Sequence, residues 1–265
     1  MFRNITLGRY YPIDSPVHRM DPRGKIILTG LYMGLVFTAK TFWGYGIVAL
    51  LVCFITLCSH IPIMTVIRGL RPILFIVLFT FVVNLFFAGS GAVLWQWGIL
   101  RITEGGLRMA VTMLLRLSLL VMGTSILTLT TSPVELTDGL ERVLLPLSWL
   151  RFPVHELSMM MTIALRMIPT LAEEADRIMK AQAARGADFE TGGLFARARA
   201  MVPLLVPLFV GAFRRADDLG IAMEARCYSG KEGRTRMKIL HMGLVDILAM
   251  GAFVLAIVVF RVGGL

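Results

Sequence analysis

Cysteine and histidine are scarce in this chain, with three and four residues respectively in 265. Three cysteines cannot build a disulfide framework. Cys53 and Cys58 fall in an apolar run and Cys227 in a charged one. His18, His60, His155 and His241 are scattered without a metal-ligand spacing, so no metal site is expected. The phosphate-cradling pattern G-x-x-x-x-G-K-[ST] is missing too. Gly230-Lys231 is followed by Glu232 and lacks the upstream glycine, which excludes ATP binding by that route. No nucleophile elbow, H-E-x-x-H pattern or carboxylate pair on an apolar helix is found. The chain is therefore expected to hold no catalytic residue and no cofactor of its own. Asp217-Asp218 is the nearest thing to an acidic pair, and Arg214 and Arg215 are expected to neutralise it on the surface.

What the chain has is apolar surface. Hydrophobic residues make up 57% of it, and the mean hydropathy is +0.76. A soluble domain of this length cannot hide so much, so the bilayer must act as solvent for part of it. Five apolar runs read as spans: Ile26 to Ala39, Phe42 to Ser59, Ile73 to Ala88, Leu107 to Leu129 and Met242 to Phe260. The first is short, and Lys25 and Lys40 are expected to snorkel at its ends. The residues before it lack the form of a cleavable signal peptide.

The charges give these runs a polarity. Arg3, Arg9, Arg19, Arg23 and Lys25 precede the first run, and Arg68 and Arg71 follow the second. The stretch Gly89 to Leu100 carries no charge but has Trp95 and Trp97, as expected of an outer interface. Fifteen of the 27 Lys and Arg residues lie between Arg142 and Lys238, mixed with acids. This accounts for the net charge of +10 through the positive-inside rule, without nucleic acid as a partner. The expected topology is multi-pass with a cytoplasmic N-terminus. Residues 1–130 hold the N-terminal membrane helices, 131–241 a cytoplasmic helical domain, and 242–265 the last span.

The stretch 131–241 has its own punctuation. Ser132-Pro133 with Glu135 marks a helix start. Leu157 to Leu165 and Met201 to Ala212 are too short to cross a bilayer. Pro169 is expected to open a helix carrying the pairs Glu173/Arg177 and Asp176/Lys180, with Leu171, Ala175, Ile178 and Met179 as its apolar stripe. Gly186 is expected to stop it, and Gly192-Gly193 to form a joint. Pro203 and Pro207 are expected to bend or break the next helix, and a second charged helix is expected from Phe213 to Tyr228.

Inside the spans, Arg116 is the one charge well within an apolar run, a position where ionisable groups face a bundle interior or water. It is expected to have a partner in the bundle, to lie on a helix that sits off-centre, or to have a role in function. Asn84 is expected to make an interhelical hydrogen bond. Gly30-x-x-x-Gly34 and Ala252-x-x-x-Ala256 would let another helix approach closely.

The sharpest signal is a pair of tripeptides, Ala184-Arg185-Gly186 and Ala225-Arg226-Cys227, each ending a charged amphipathic run. One arginine at a helix end is ordinary macrodipole chemistry. Two copies with small flanking residues suit two similar partners, because a planar guanidinium pairs bidentately with carboxylates.

With these residues in view, the chain resembles the transmembrane T component of energy-coupling factor transporters. The resemblance is carried by Ser15-Pro-Val-His-Arg-Met-Asp-Pro-Arg-Gly-Lys25, Thr130 to Glu141, Phe152-Pro-Val-His-Glu156 and Ala164 to Thr170. Lys180-Ala-Gln-Ala-Ala-Arg-Gly-Ala-Asp-Phe189, Val202 to Leu208, Phe213 to Asp217 and Ala222 to Tyr228 complete it. It implies an all-α integral membrane protein with about five transmembrane helices plus a cytoplasmic coupling domain, in a prokaryotic cytoplasmic membrane. It also implies two ATP-binding cassette subunits, which hold the ATP and Mg²⁺, and a membrane-embedded substrate-binding S component. Arg185 and Arg226 would be the ATPase-coupling arginines, with Ala184, Gly186, Ala225 and Cys227 around them. Cys227 departs from the glycine usual there, and a side chain raises the cost of left-handed backbone. Alternatives are a T subunit dedicated to cobalt, nickel or biotin import, a secondary transporter, or a membrane enzyme using Arg116.

Overall fold

The computed structural model describes residues 10–87, 92–97, 100–150, 152–187, 189, 193–228, 230 and 242–262. Arg3, Arg9, Ala88, part of the Gly89–Leu100 stretch, Asp188, Gly192, Lys231, Glu232 and His241 lie outside them. Ten helices are found among the described residues: α1 Pro16–Arg19, α2 Pro22–Thr38, α3 Phe42–Cys58, α4 Ile63–Arg68, α5 Leu74–Phe87, α6 Glu104–Thr130, α7 Pro133–Leu144, α8 Val154–Ala184, α9 Leu194–Ala225 and α10 Leu244–Val262. A 3-10 helix, Leu145–Leu150, precedes α8.

The mostly helical fold has one departure. Val93–Trp97 (β1) and Leu100–Thr103 (β2) form an antiparallel hairpin with an irregularity between Val93 and Trp95. Leu100, Arg101 and Ile102 pair with Trp97, Gln96 and Trp95, so backbone donors and acceptors of the two strands satisfy one another. The Glu104 N–H closes it by donating to Ala92 O at 3.0 Å.

The chain divides into two compact units, one spanning Gly8–Val143 with Leu240–Leu265 and the other Leu144–Ile239. In the first, α2, α3, α5, α6 and α10 cover most of the five apolar runs in turn. Only α6, with 27 residues, is long and apolar enough to cross a membrane by length and composition among the described residues; α3 and α5 are shorter apolar helices. Trp43, Phe54, Phe75 and Phe87 are all more than three-fifths exposed, which suits a lipid surrounding rather than water.

Caps fix where these helices begin. Asp21 accepts from the Arg23 N–H at 2.9 Å with Pro22 at the first helical position. Thr103 accepts from the Gly106 N–H at 3.1 Å, and Ser132, ahead of Pro133, accepts from the Glu135 N–H at 3.3 Å as the sequence predicts. The core joins Leu35 and Val36 of α2, Val48 and Val52 of α3, Leu119 and Ile126 of α6 and Phe260 of α10.

Glycine acts in this core at a place the sequence pattern did not mark. A Cβ on Gly123 would lie 2.0 Å from Tyr32 Cε1, so only glycine admits the Tyr32 ring, whose hydroxyl donates to Leu119 O at 2.7 Å. Gly30 and Gly34 have nothing within 4 Å of their Cβ positions, so they mediate no packing among the described residues. Lys25 corrects a second expectation. It is 6% exposed rather than snorkelling, because its ammonium finds Thr130 O and His18 O, each at 3.0 Å. Two of its three donors are met by backbone carbonyls inside the fold, which holds it away from water.

The second unit is built on α8 and α9, of 31 and 32 residues. Pro169 lies inside α8 rather than opening a helix, which corrects the sequence reading, and Pro203 and Pro207 lie inside α9 without breaking it. A helical proline removes one backbone bond and crowds the carbonyl four residues back. Here lateral packing holds the helices together across the gaps. Ala175 and Leu204 are buried, and Leu171, Ile178 and Met179 of the expected stripe are half-buried.

Candidate docking site

The second unit ends its two long helices in the same way. At the end of α8 the Gly186 N–H donates to Ala183 O at 2.9 Å and the Ala187 N–H to Gln182 O at 3.0 Å. At the end of α9 the Cys227 N–H donates to Glu224 O at 2.8 Å and the Tyr228 N–H to Met223 O at 3.0 Å. Both are Schellman caps, in which the residue after the cap turns left-handed so that orphan carbonyls find donors. Gly186 has φ +88° and Cys227 φ +56°. The predicted stop at Gly186 is thus present, and the second copy achieves it with a side chain at the strained position.

Arg185 and Arg226 occupy the two cap positions. Both are exposed, as are Ala184, Gly186, Ala225 and Cys227. Neither guanidinium has an ion-pair partner among the described residues. Each stands at the negative end of a helix dipole, in the first residue past the last turn. Small neighbours leave both open to a carboxylate from outside.

The helices bearing them run antiparallel, because Glu174 meets Gly211 and Arg215 while Gln182, farther along α8, meets the earlier Pro203. The two arginines therefore sit at opposite ends of the pair, about 30 Å apart by helical rise. The pairs Glu173–Arg177 (3.9 Å) and Asp176–Lys180 (2.8 Å) lie on the exposed side of α8 as expected. Arg215 corrects another expectation. It pairs across the helices with Glu174 rather than with its own neighbours, and Asp217 and Asp218 stay exposed with no ion pair among the described residues. Within one helix, Arg before Asp is the weaker order, so the cross-helix carboxylate wins. Glu174 was legible in principle, since it falls at helical spacing within the Leu171–Ile178 stripe.

Of the two polar groups singled out within the spans, Arg116 finds partners on other helices and Asn84 bonds within its own. Arg116 donates to Tyr45 Oη through Nε at 3.2 Å and Nη2 at 2.9 Å, and more weakly to Ala39 O at 3.5 Å. Its guanidinium carbon lies 5.9 Å from the Phe37 ring centre. Ala39 closes α2, so the cation serves a helix C-terminus. Asn84 donates to Thr80 O of its own helix at 2.8 Å, not across helices. No group of three or more His, Cys, Asp or Glu that could hold a metal occurs among the described residues.

A family described as cobalt transport protein (CbiQ) matches residues 14–238. The chain belongs to that family. Its match spans both arginine caps and most of the apolar helices. The chain is 51% identical over 251 residues to the energy-coupling factor transporter transmembrane protein of Ruminiclostridium cellulolyticum, covering 95% of this chain and 94% of that one. The protein of that name from Thermosediminibacter oceani is 54% identical over 247 residues, with 93% of each chain covered. That of Bacillus subtilis is 45% identical over 261 residues, with 98% of each covered. Family membership makes the chain a transporter membrane subunit.

Proposed function

We propose that the chain is the non-catalytic energy-coupling scaffold of an ECF-type micronutrient importer. Two ATP-binding cassette subunits bind and hydrolyse ATP with Mg²⁺. Arg185 and Arg226 dock into them, and the motion of α8 and α9 reaches a membrane-embedded substrate-binding S component. In this reading five helices cross a prokaryotic cytoplasmic membrane with the N-terminus inside. Residues 1–130 and 242–265 form the membrane part and 131–241 the cytoplasmic part.

The observation that carries the reading is the matched pair of exposed arginine caps at opposite ends of one helix pair. A ligand-driven switch needs contacts that differ between two states. Two exposed guanidiniums, without an ion-pair partner among the described residues and offered to partner carboxylates, are suited to supply them. The names of the relatives point the same way.

The test is Arg185→Glu combined with Arg226→Glu, in cells and in purified membranes. The variant is expected to insert normally, to lose the co-purifying ATPase chains and to lose uptake. Unchanged transport by the double variant would sink the assignment.

A further inference from the structure

The two arginine caps belong to a longer likeness. Ala175–Arg185 and Ala216–Arg226 are eleven-residue segments identical at five positions: both Ala-Asp starts, Ala181 with Ala222, Ala184 with Ala225, and Arg185 with Arg226. The residues just before the segments are Glu174 and Arg215. These equivalent residues touch each other: Arg215 Nη2 pairs with Glu174 Oε2 across α8 and α9. Two equivalent positions in mutual contact mark a local two-fold relation between the helices, as in an isologous interface.

Eleven residues are three helical turns to within about 20°. Each arginine tip therefore lies on the same helix face as its clasp residue and about 16 Å beyond it, in opposite directions.

The surroundings of the clasp are built for close approach. A Cβ on Gly211 would lie 3.0 Å from Glu174 Oε1, and Gly211 is one turn before Arg215 on the same face. One further turn back, Pro207 has no N–H to give to Pro203 O. Gln182 Nε2 of α8 donates to that carbonyl at 3.5 Å. The backbone oxygen of the same Gln182 accepts from the Arg185 and Ala187 N–H groups, each at 3.0 Å. One residue thus ties the Arg185 cap to α9, and it uses an acceptor that the proline vacates.

We infer that Glu174 and Arg215, seated on Gly211, mark a pseudo-two-fold axis of the helix pair and set the equal reach of Arg185 and Arg226 toward two like partner subunits. Glu174, Arg215 and Gly211 are positioning residues: they touch neither nucleotide nor cargo. The inference rests on the docking role proposed above.

The experiment uses the whole purified complex with its ATPase and S subunits, in which Cys53, Cys58 and Cys227 are replaced by serine. Spin labels go at the exposed equivalent positions Ala181→Cys and Ala222→Cys. Glu174→Arg alone and Arg215→Glu alone are expected to lower uptake per assembled complex at least tenfold and to shift or broaden the label distance. Combining them reverses the pair, and uptake should return to within twofold of the parent with the parent distance. If the single variants fail to assemble, assembly by the reversed pair supports the inference. If neither assembles, Glu174→Gln decides: it should cut uptake at least fivefold and broaden the distance. Unchanged uptake and distance in Glu174→Gln, or in either charge reversal, would overturn the clasp. Failure of the docking role reads differently: ATPase chains would stay bound when Arg185 and Arg226 are both reversed.

Discussion

Gly186 and Cys227 hold one backbone position in two copies, each turning left-handed to close a helix with the same two hydrogen bonds. Glycine takes that conformation freely, whereas an L side chain costs about 1–2 kcal/mol. Cys227→Gly relieves this strain but loosens the unfolded chain. The expected net is a gain of about 0.5 kcal/mol. Gly186→Ala should cost about 1 kcal/mol. Thermal unfolding of the purified complex measures both. A loss of stability in Cys227→Gly would mean the thiol holds a partner.

Charge alone does not explain why arginine stands at both caps. Lysine keeps the charge but cannot offer the planar fork. Arg185→Lys and Arg226→Lys should each retain ATPase chains while uptake falls about tenfold, the effect of losing about 1.4 kcal/mol of bidentate contact. Uptake equal to the parent in both would show that a point charge is enough.

The Tyr32 ring fills the space over Gly123. Gly123→Ala forces a clash with an aromatic ring and should destabilise the first unit by about 1–3 kcal/mol. Tyr32→Leu removes the ring and should recover part of that loss when combined with it, a coupling that a double-mutant cycle of melting temperatures would read. Additive effects would contradict the packing described.

His18 links the first residues of the described chain to α1. Its ring nitrogens lie 2.7 Å from Ser15 Oγ and 3.0 Å from Tyr11 O. Burial, with the Lys25 charge adding to it, holds the imidazole below its usual 6.5, and the Tyr11 carbonyl opposes the shift. A histidine lowered in the folded state contributes stability above its unfolded value and loses it as pH falls through the folded one. The parent should therefore lose more stability than His18→Gln between pH 6.5 and 5. Parallel melting curves across that range would rule out the linkage.

Legibility in the sequence followed the range of the interaction concerned. The five apolar runs, the Ser132 cap and the Gly186 stop are local signals, and each has its counterpart in a helix or a cap. Pro169 marks a helix start by local propensity, and the packing that carries α8 through it overrides that signal. Arg215 was assigned to neighbouring acids because its real partner is 41 residues away in the sequence. Gly123 went unnoticed while Gly30 and Gly34 drew attention, since a motif shows where close approach is permitted and not where a tyrosine arrives. Tyr45, the main partner of Arg116, carried no charge to advertise it.

The length of α6 bears on the lipid around the first unit. By helical rise its 27 residues reach about 40 Å. A hydrocarbon layer is about 30 Å thick. In a bilayer α6 fits only by tilting or by carrying its ends out among the headgroups, so a thicker membrane would draw it upright and a thinner one would lay it over.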